Sequence, residues 1–245
     1  MDSFSERLFR VEFDDHTLVG DALTGDGRSQ VLILHGAGNS ERKRFRPLRR
    51  YLASRGISSC AFDFIGHGDT GGQLLGSNLE ERTHQACRVI DSQPVRRPLA
   101  LVAASMGAYT AVKLLEHYPV EVLVLLVPAM YAAEACRVPF GPHFSEIIRR
   151  PESWQSSDAW ALLAVYTGRL LIVAAENDMV IPPGIIRRLH DSAVCARDRR
   201  LCRIPGVSHF VFTDLRARDP AGLARVQDLI AGVLCEGAAD DPDEA

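Results

Sequence analysis

The sequence PLALVAASMG (residues 98–107) joins an apolar run to a serine flanked by small residues. The run PLALVAA is too short for a typical helix and predicts a buried strand, while residues 106–117 have helical spacing. Ser105 therefore falls at a strand-to-helix turn. A serine in such a turn takes a strained backbone conformation, so the positions two residues before and after it, here Ala103 and Gly107, must be small. This context predicts a nucleophilic serine, and a serine that only caps the following helix is the alternative.

Apolar runs of similar length recur on both sides of this stretch. They alternate with segments of helical spacing, which predicts an α/β domain built on a parallel sheet with helices on both faces. Two short strands, 8–13 and 16–23, precede them as a hairpin. The predicted strands of the parallel part are residues 31–34, 57–64, 98–104, 120–127, 170–176 and 200–204.

Residues 129–168 interrupt this alternation. They mix proline, glycine and aromatic residues with short helical patches, so we expect a small cap inserted in the domain. The sheet then resumes, and a helix around residues 223–234 ends the pattern. We expect one domain over residues 1–235 and an acidic, disordered tail over residues 236–245.

The composition is that of an ordinary globular chain. Hydrophobic residues make up 47% and charged residues 24%, and the net charge of −3 gives no overall electrostatic reason to bind nucleic acid. A basic run over residues 42–50 is interpreted as a solvated helix face. The six cysteines form no C-x-x-C pair and are expected to be reduced. The start of the chain is charged where a signal peptide needs an apolar core, so we expect a cytoplasmic protein without a membrane span.

Two further polar segments follow the last two predicted strands. ENDMVIP offers Asp178, and GVSHF offers His209. Because the carboxyl ends of parallel strands meet at the same edge of an open sheet, both side chains are expected to converge on Ser105. His209 would take the serine proton, and Asp178 would orient the histidine. The alternative acids are Glu176 and Asp214.

The first strand of the parallel part leads into HGAGNS (residues 35–40). Backbone amides in such a glycine-containing turn can point at a developing oxyanion, although the turn is equally compatible with an ordinary strand-to-loop connection. The amides of Ala37 and Met106 are the predicted pair of donors. His35 is interpreted as a structural residue.

Together, HGAGNS, DFIGHGDTGG (63–72), AASMG, ENDMVIP and SHF resemble the α/β-hydrolase serine hydrolases that include feruloyl or cinnamoyl esterases and monoacylglycerol lipases. The resemblance spans about residues 16–235 and is weakest in the cap. It implies the α/β-hydrolase fold, an enzyme without a metal or other cofactor, and the site described above. That site is the triad Ser105, Asp178 and His209 with the oxyanion amides of Ala37 and Met106. In that family Asp63, Gly66 and His67 mainly support the fold, so they are assigned no catalytic step.

The expected function is that of a serine hydrolase that cleaves a carboxylic ester of a small or medium acyl group through an acyl-enzyme intermediate. The expected partner is a small-molecule ester or thioester. A thioesterase acting on acyl-CoA or acyl-carrier substrates is an alternative, because fold and triad do not select the leaving group. A non-catalytic binding protein with the same fold is a further alternative.

Substrate choice is assigned to the cap. Its aromatic residues either line the cleft or pack the cap onto the domain, and its basic residues either meet an anionic substrate or are solvated. The aromatic residues are Phe140, Phe144, Trp154, Trp160 and Tyr166, and the basic residues are Arg137, His143, Arg149 and Arg150.

Overall fold

A computed structural model describes residues 4–24 and 29–236. Eight strands form one sheet in the order β1-β2-β4-β3-β5-β6-β7-β8. The strands are β1 (Ser5–Phe13), β2 (His16–Thr24), β3 (Ser29–Leu34), β4 (Ser59–Phe62), β5 (Val95–Ala104), β6 (Val120–Leu126), β7 (Arg169–Ala175) and β8 (Asp198–Ile204). The hairpin β1–β2 is antiparallel, β2 is antiparallel to β4, and the other neighbours are parallel. The predicted mostly parallel sheet is confirmed.

Helices cover both faces of this sheet. They are α1 (Arg46–Ser54), α2 (Leu79–Ser92), α3 (Met106–Lys113), α4 (Pro142–Arg149), α5 (Ala159–Ala164), α6 (Pro183–Ser192), α7 (Val211–Arg218) and α8 (Pro220–Glu236). Successive residues of a strand point to opposite faces. In β5, Leu101 and Ala103 accordingly join the apolar cluster under α2 and α3, whereas Val102 joins the cluster under α1 and α8.

Four loops leave the sheet at one edge, because β3, β5, β7 and β8 run in the same direction. The loop after β3 begins at His35, and the turn after β5 holds Ser105. The loops after β7 and β8 hold Asp178 and His209. The sheet therefore presents all the predicted chemical groups at its carboxyl edge.

The segment between β6 and β7 contains α4, α5 and two short 3₁₀ helices, Ala133–Ala135 and Ser153–Ser156. Its aromatic rings pack against one another. The Trp160 side chain is buried and its ring nitrogen donates to the Trp154 carbonyl at 3.0 Å, while the rings of Phe140 and Phe144 meet edge to face. These rings therefore pack against one another within the segment.

The basic run is not a solvated face throughout, and that interpretation was wrong for two of its residues. Arg42 and Arg49 are 2% and 3% exposed. Both guanidinium groups bind Asp21, and Arg42 also binds Asp63, two carboxylates that are themselves buried. Burial of charge is possible here because the charges are paired and hydrogen-bonded. The carboxylates come from β2 and the turn after β4, so the run alone does not reveal them.

Three remaining expectations concern the cysteines, a membrane span and the acidic tail. All six cysteines are free thiols. Among the residues that the structure describes, no helix is long and apolar enough to cross a membrane. Residues 237–245 of the expected tail lie outside the described residues, whereas Glu236 ends α8.

Candidate active site

Ser105 occupies the predicted turn between β5 and α3 in a strained conformation, with φ 51° and ψ −121°. Its amide donates to the Leu126 carbonyl at 3.0 Å, which ties the turn to the end of β6. A Cβ atom placed on Gly107 would lie 2.6 Å from the His35 carbonyl oxygen, so no larger residue fits where α3 crosses β3. Strain in a non-glycine residue at a strand end is typical of functional sites, because the surroundings must hold it.

His209 and Asp178 converge on this serine. The His209 Nε2 atom lies 3.2 Å from Ser105 Oγ, and His209 Nδ1 lies 2.9 Å from Asp178 Oδ2. With Nδ1–H donating to the carboxylate, Nε2 is left as the acceptor for the serine hydroxyl. Three side chains that are far apart in the sequence therefore form one continuous hydrogen-bonded chain.

The Asp178 carboxylate is held in its ionised form. Burial acts to raise its pKa, but hydrogen bonds from His209 and from the amides of Ile181 and Val180 outweigh burial and lower the pKa below its ordinary value. Those two amides donate to Oδ1 at 3.0 and 2.8 Å. A carboxylate fixed in this way orients the imidazole and favours its charged form.

The two alternative acids bind the backbone of the histidine loop instead of the imidazole. Glu176 accepts from the Gly206 amide at 2.8 Å, and Asp214 accepts from the Ser208 amide at 2.7 Å. That backbone hydrogen bond lowers the pKa of Asp214. Both carboxylates thus brace the loop that carries His209.

The predicted oxyanion donors flank the serine. Ala37 lines the same cavity as Ser105, and Met106 is the first residue of α3. Within residues 4–24 and 29–236, neither amide donates to a backbone carbonyl. The first amides of a helix lack partners inside the helix, so the Met106 amide is available to a ligand oxygen. Both donors therefore remain predictions that fit the local structure.

Sequence reasoning missed a buried arginine beneath the loop after β3. The Arg82 side chain, from α2, is 1% exposed, and its Nη2 donates to the carbonyls of His35 and Gly36 at 3.0 and 3.2 Å. Its guanidinium also lies 3.8 Å from the centre of the Phe64 ring. Burial lowers the pKa of Arg82 to about 9, so the group is still a cation at neutral pH. Arg82 thereby fixes the two residues that precede Ala37. No sequence motif indicates this role.

His35 is buried and structural, as interpreted from the sequence. Its Nδ1 donates to the Gly36 carbonyl at 2.7 Å, and its Nε2 accepts from the Phe64 amide at 3.1 Å. Burial, together with the nearby charge of Arg82, lowers the pKa of His35 well below its ordinary value. The neutral ring therefore joins the loop after β3 to the loop after β4.

A cavity of about 510 Å³ opens at Ser105 and His209. Its volume is within the range of small-molecule sites. Val127, at the end of β6, lines it with φ 41°, an unusual conformation for a β-branched residue and a second point of strain beside the serine. None of the five cap aromatics named above lines this cavity. The walls are residues 36–40, Arg44, Phe45, Tyr131, Val180, residues 209–213 and the ends of β5, β6 and β7.

An eight-stranded, mostly parallel sheet with these loops at its carboxyl edge defines an α/β hydrolase. The model of the Hydrolase_4 family, described as serine aminopeptidase, S33, matches residues 25–151, and the chain belongs to this family. The resemblance to α/β hydrolases predicted from the motifs is thereby confirmed. No curated protein sequence gives a significant match to the chain.

Solved structures share the fold at low identity. Est1E from Butyrivibrio proteoclasticus, solved with ferulic acid bound, is 18% identical with a TM-score of 0.70, over 95% of this chain and 100% of that chain. The monoacylglycerol lipase of Paleococcus ferrophilus is 18% identical with a TM-score of 0.66, over 94% and 99%. The thioesterase domain from the curacin biosynthetic pathway is 18% identical with a TM-score of 0.65, over 92% and 99%.

Proposed function

We propose that this protein is a serine hydrolase that cleaves a carboxylic ester of a small or medium acyl group through an acyl-enzyme. The observation that carries the proposal is the hydrogen-bonded chain from Ser105 Oγ through His209 to Asp178, with distances of 3.2 and 2.9 Å. Nucleophile, base and orienting acid within hydrogen-bond reach, beside a cavity, are the arrangement that activates a serine. The family membership and the esterase, lipase and thioesterase folds support it.

In the proposed first half-reaction, His209 Nε2 takes the proton of Ser105 Oγ while Oγ attacks the acyl carbonyl carbon. The carbonyl oxygen becomes an oxyanion, which the amides of Ala37 and Met106 would stabilise. Loss of one such donor typically removes about 2.7 to 4 kcal/mol of transition-state stabilisation. The bond from the acyl carbon to the leaving oxygen then breaks, and the imidazolium returns its proton to that oxygen.

In the second half-reaction, His209 takes a proton from water, and the resulting hydroxide attacks the acyl-enzyme. The tetrahedral intermediate collapses, the acid leaves, and Ser105 Oγ regains its proton from His209. Asp178 acts in both halves by stabilising the charged imidazole. Every proton in the cycle moves through one nitrogen atom, so no other general acid is required.

The charge of the cavity favours an ester over a peptide with a free amino terminus. An aminopeptidase must bind the substrate's ammonium group, which needs a carboxylate or several acceptors nearby. Among the described residues that line the cavity, none is a carboxylate, and Arg44 adds positive charge. The charge of the cavity is therefore unfavourable for the free amino terminus of an aminopeptidase substrate.

The proposal is tested with a fluorophosphonate probe, which an activated serine attacks at phosphorus as it would a carbonyl carbon. We expect labelling of the wild-type protein and of Ser156→Ala, a matched control at an exposed serine outside the cavity. Ser105→Ala should not be labelled. Undiminished labelling of Ser105→Ala would contradict the assignment of the nucleophile.

The leaving group is tested with p-nitrophenyl esters and acyl-CoA thioesters of the same acyl groups. We expect the wild-type protein to have a higher kcat/KM for the oxygen esters than for the thioesters. Ser105→Ala is measured alongside it as the control. Faster turnover of the thioesters would make the protein a thioesterase, and no turnover of either, without labelling, would make it a binding protein.

A further inference from the structure

Arg44 lies at the edge of the cavity that holds Ser105. It belongs to the 3₁₀ helix Arg42–Phe45, which follows the loop after β3, and it is one of the residues that line the cavity. The backbone at this point is held firmly. Arg42 is fixed by buried carboxylates, the Phe45 ring is buried, and the Arg44 amide donates to the Glu41 carbonyl at 3.2 Å.

Among the described residues, Arg44 has no carboxylate partner, whereas most of the basic residues around it have one. Arg42 and Lys43 bind Asp69 at 2.7 and 2.8 Å. Farther along, Arg46 binds Glu6 and Arg49 binds Asp21. Within the part of the chain that the structure describes, no carboxylate oxygen lies within 4 Å of the Arg44 guanidinium. The cation that faces the cavity is therefore one that the protein leaves unneutralised.

The rest of the cavity wall increases the effect of that charge. Apart from Arg44, the described lining residues carry no permanent charge, and many of them are apolar, such as Phe45, Val127 and Phe212. Arg44 is itself exposed, and the apolar wall beside it lowers the effective dielectric constant on one side, which strengthens the attraction between a guanidinium and an anion. Asn39 and Ser40 also line the cavity, and both are residue types whose side chains can donate hydrogen bonds.

We propose that the cavity accepts an ester or thioester that carries a carboxylate or phosphate group, and that Arg44 binds this anion. The planar guanidinium matches both groups because it can donate two parallel hydrogen bonds. This inference rests on the proposed function and adds a substrate class to it. Of the basic cap residues for which the sequence left anion binding open, Arg137 and Arg150 pair with Glu80 and Glu134, whereas Arg44 faces the cavity without such a partner.

The substrates are paired esters in which an anionic group replaces a methyl group, and each pair is compared between wild type and variant. Mono-p-nitrophenyl glutarate against p-nitrophenyl valerate places a carboxylate on the acyl side. 4-(Butyryloxy)benzoate against 4-methylphenyl butyrate places a carboxylate on the leaving group, and 4-(butyryloxy)phenyl phosphate against the same neutral ester places a phosphate there. For each pair the selectivity is the ratio of kcat/KM for the anionic ester to kcat/KM for the neutral one.

The expected result is that Arg44→Gln lowers this selectivity about five- to tenfold for at least one pair. Arg44→Lys should keep part of it, because a lysine keeps the charge but loses the planar fork. Arg50→Gln is the matched control, since Arg50 is also exposed and has no carboxylate partner in the described chain, but does not line the cavity. It should leave the selectivity unchanged.

A selectivity that is the same in wild type, Arg44→Gln and Arg50→Gln for every pair overturns the inference, and hydrolysis of the neutral esters would leave the proposed function intact. Failure of the proposed function has a different signature, namely no turnover and no fluorophosphonate labelling. In that case calorimetry of mono-p-nitrophenyl glutarate with Ser105→Ala and with Ser105→Ala/Arg44→Gln decides the inference. Equal binding to both proteins rejects anion recognition by Arg44, and tighter binding to the first supports it.

Discussion

Two regions border the cavity and contribute to it very unequally. The loop after β3 and the start of α7 supply most of its rim, including Ala37, Arg44 and Phe212. The segment between β6 and β7, which the sequence marked as the cap, supplies Tyr131 at its start. The first region exposes backbone amides and an unpaired cation, whereas the second buries its rings against one another. A segment of irregular composition is therefore not by itself the specificity-determining surface.

The difference has an energetic basis. Aromatic side chains gain most by complete burial, and Trp160 achieves it while satisfying its ring nitrogen within the cap. The loop after β3 gains its rigidity instead from Arg82, which donates to the carbonyls of His35 and Gly36, and from its far end, where the Arg42 amide donates to Asp63. Substitutions in the two regions should therefore have different effects. Those around the loop after β3 should change turnover, and those in the cap should change stability.

The largest expected effect concerns the loops at the sheet edge. Asp178→Asn should lower kcat roughly 10⁴-fold on a p-nitrophenyl ester, because an amide favours the wrong tautomer of His209. The variant should still fold, as checked by circular dichroism.

Glu176→Gln and Asp214→Asn are the controls for that prediction. Each carboxylate accepts a backbone amide of the histidine loop, so both variants should lose far less activity than Asp178→Asn. Near-normal turnover of Asp178→Asn, with either control inactive, would place the acid elsewhere.

The second effect concerns the cap. Trp160→Ala should lower the free energy of unfolding by about 3 to 5 kcal/mol, since it removes a large buried ring and leaves a void. Its kcat/KM on short neutral esters should stay within about twofold of wild type at a temperature where both proteins are folded. Urea unfolding and initial rates measure the two quantities. A large change in kcat/KM in a folded variant would show that the cap contributes to substrate binding or catalysis.

The third effect concerns Arg82 as a positioning residue. Arg82→Met should lower kcat about tenfold with little change in KM, because the carbonyls of His35 and Gly36 lose their donor and the adjacent Ala37 amide is held less firmly. Arg82→Lys should recover part of the loss. The rate of fluorophosphonate labelling should fall in parallel with kcat, and a change confined to the melting temperature would assign Arg82 a structural role alone.

The smallest effect concerns the length of the acyl group. Each methylene buried against the apolar wall should raise kcat/KM by about fourfold, since burial is worth roughly 0.8 kcal/mol. The gain ends where the acyl chain extends beyond the apolar wall of this open cavity and protrudes into water. Acetyl to palmitoyl p-nitrophenyl esters provide the series. A steady rise through palmitate, with activation at lipid interfaces, would indicate an extended lipid-binding surface instead.

The sheet and the three central side chains were accessible from sequence because each depends on local pattern. Apolar runs fix the strands, and the carboxyl ends of β5, β7 and β8 bring Ser105, Asp178 and His209 together. Helix α7 was missed, because FVFTDLRAR has aromatic residues without clear helical spacing.

The charged interior could not be predicted in the same way. Arg42 and Arg82 look like surface residues of helices, and their burial depends on partners far away in the chain, such as Asp63 and the His35 carbonyl. The same long-range contacts decide that the neighbouring cations are paired and that Arg44 is not. Sequence patterns report which face of an element is apolar, but not which charge finds a counter-charge in three dimensions.

The two edge strands have a consequence for self-association. Among the described residues, β1 and β8 each pair with one neighbouring strand, so one side of each has no strand partner within that part of the chain. β8 carries Arg199, Arg200 and Arg203 within seven residues, and β1 carries four charged residues of both signs. Two copies aligned through β8 would bring arginines into apposition, which resists the edge-to-edge growth that leads to aggregation. High protein concentrations should therefore be attainable in low-salt buffers, with added salt weakening this protection.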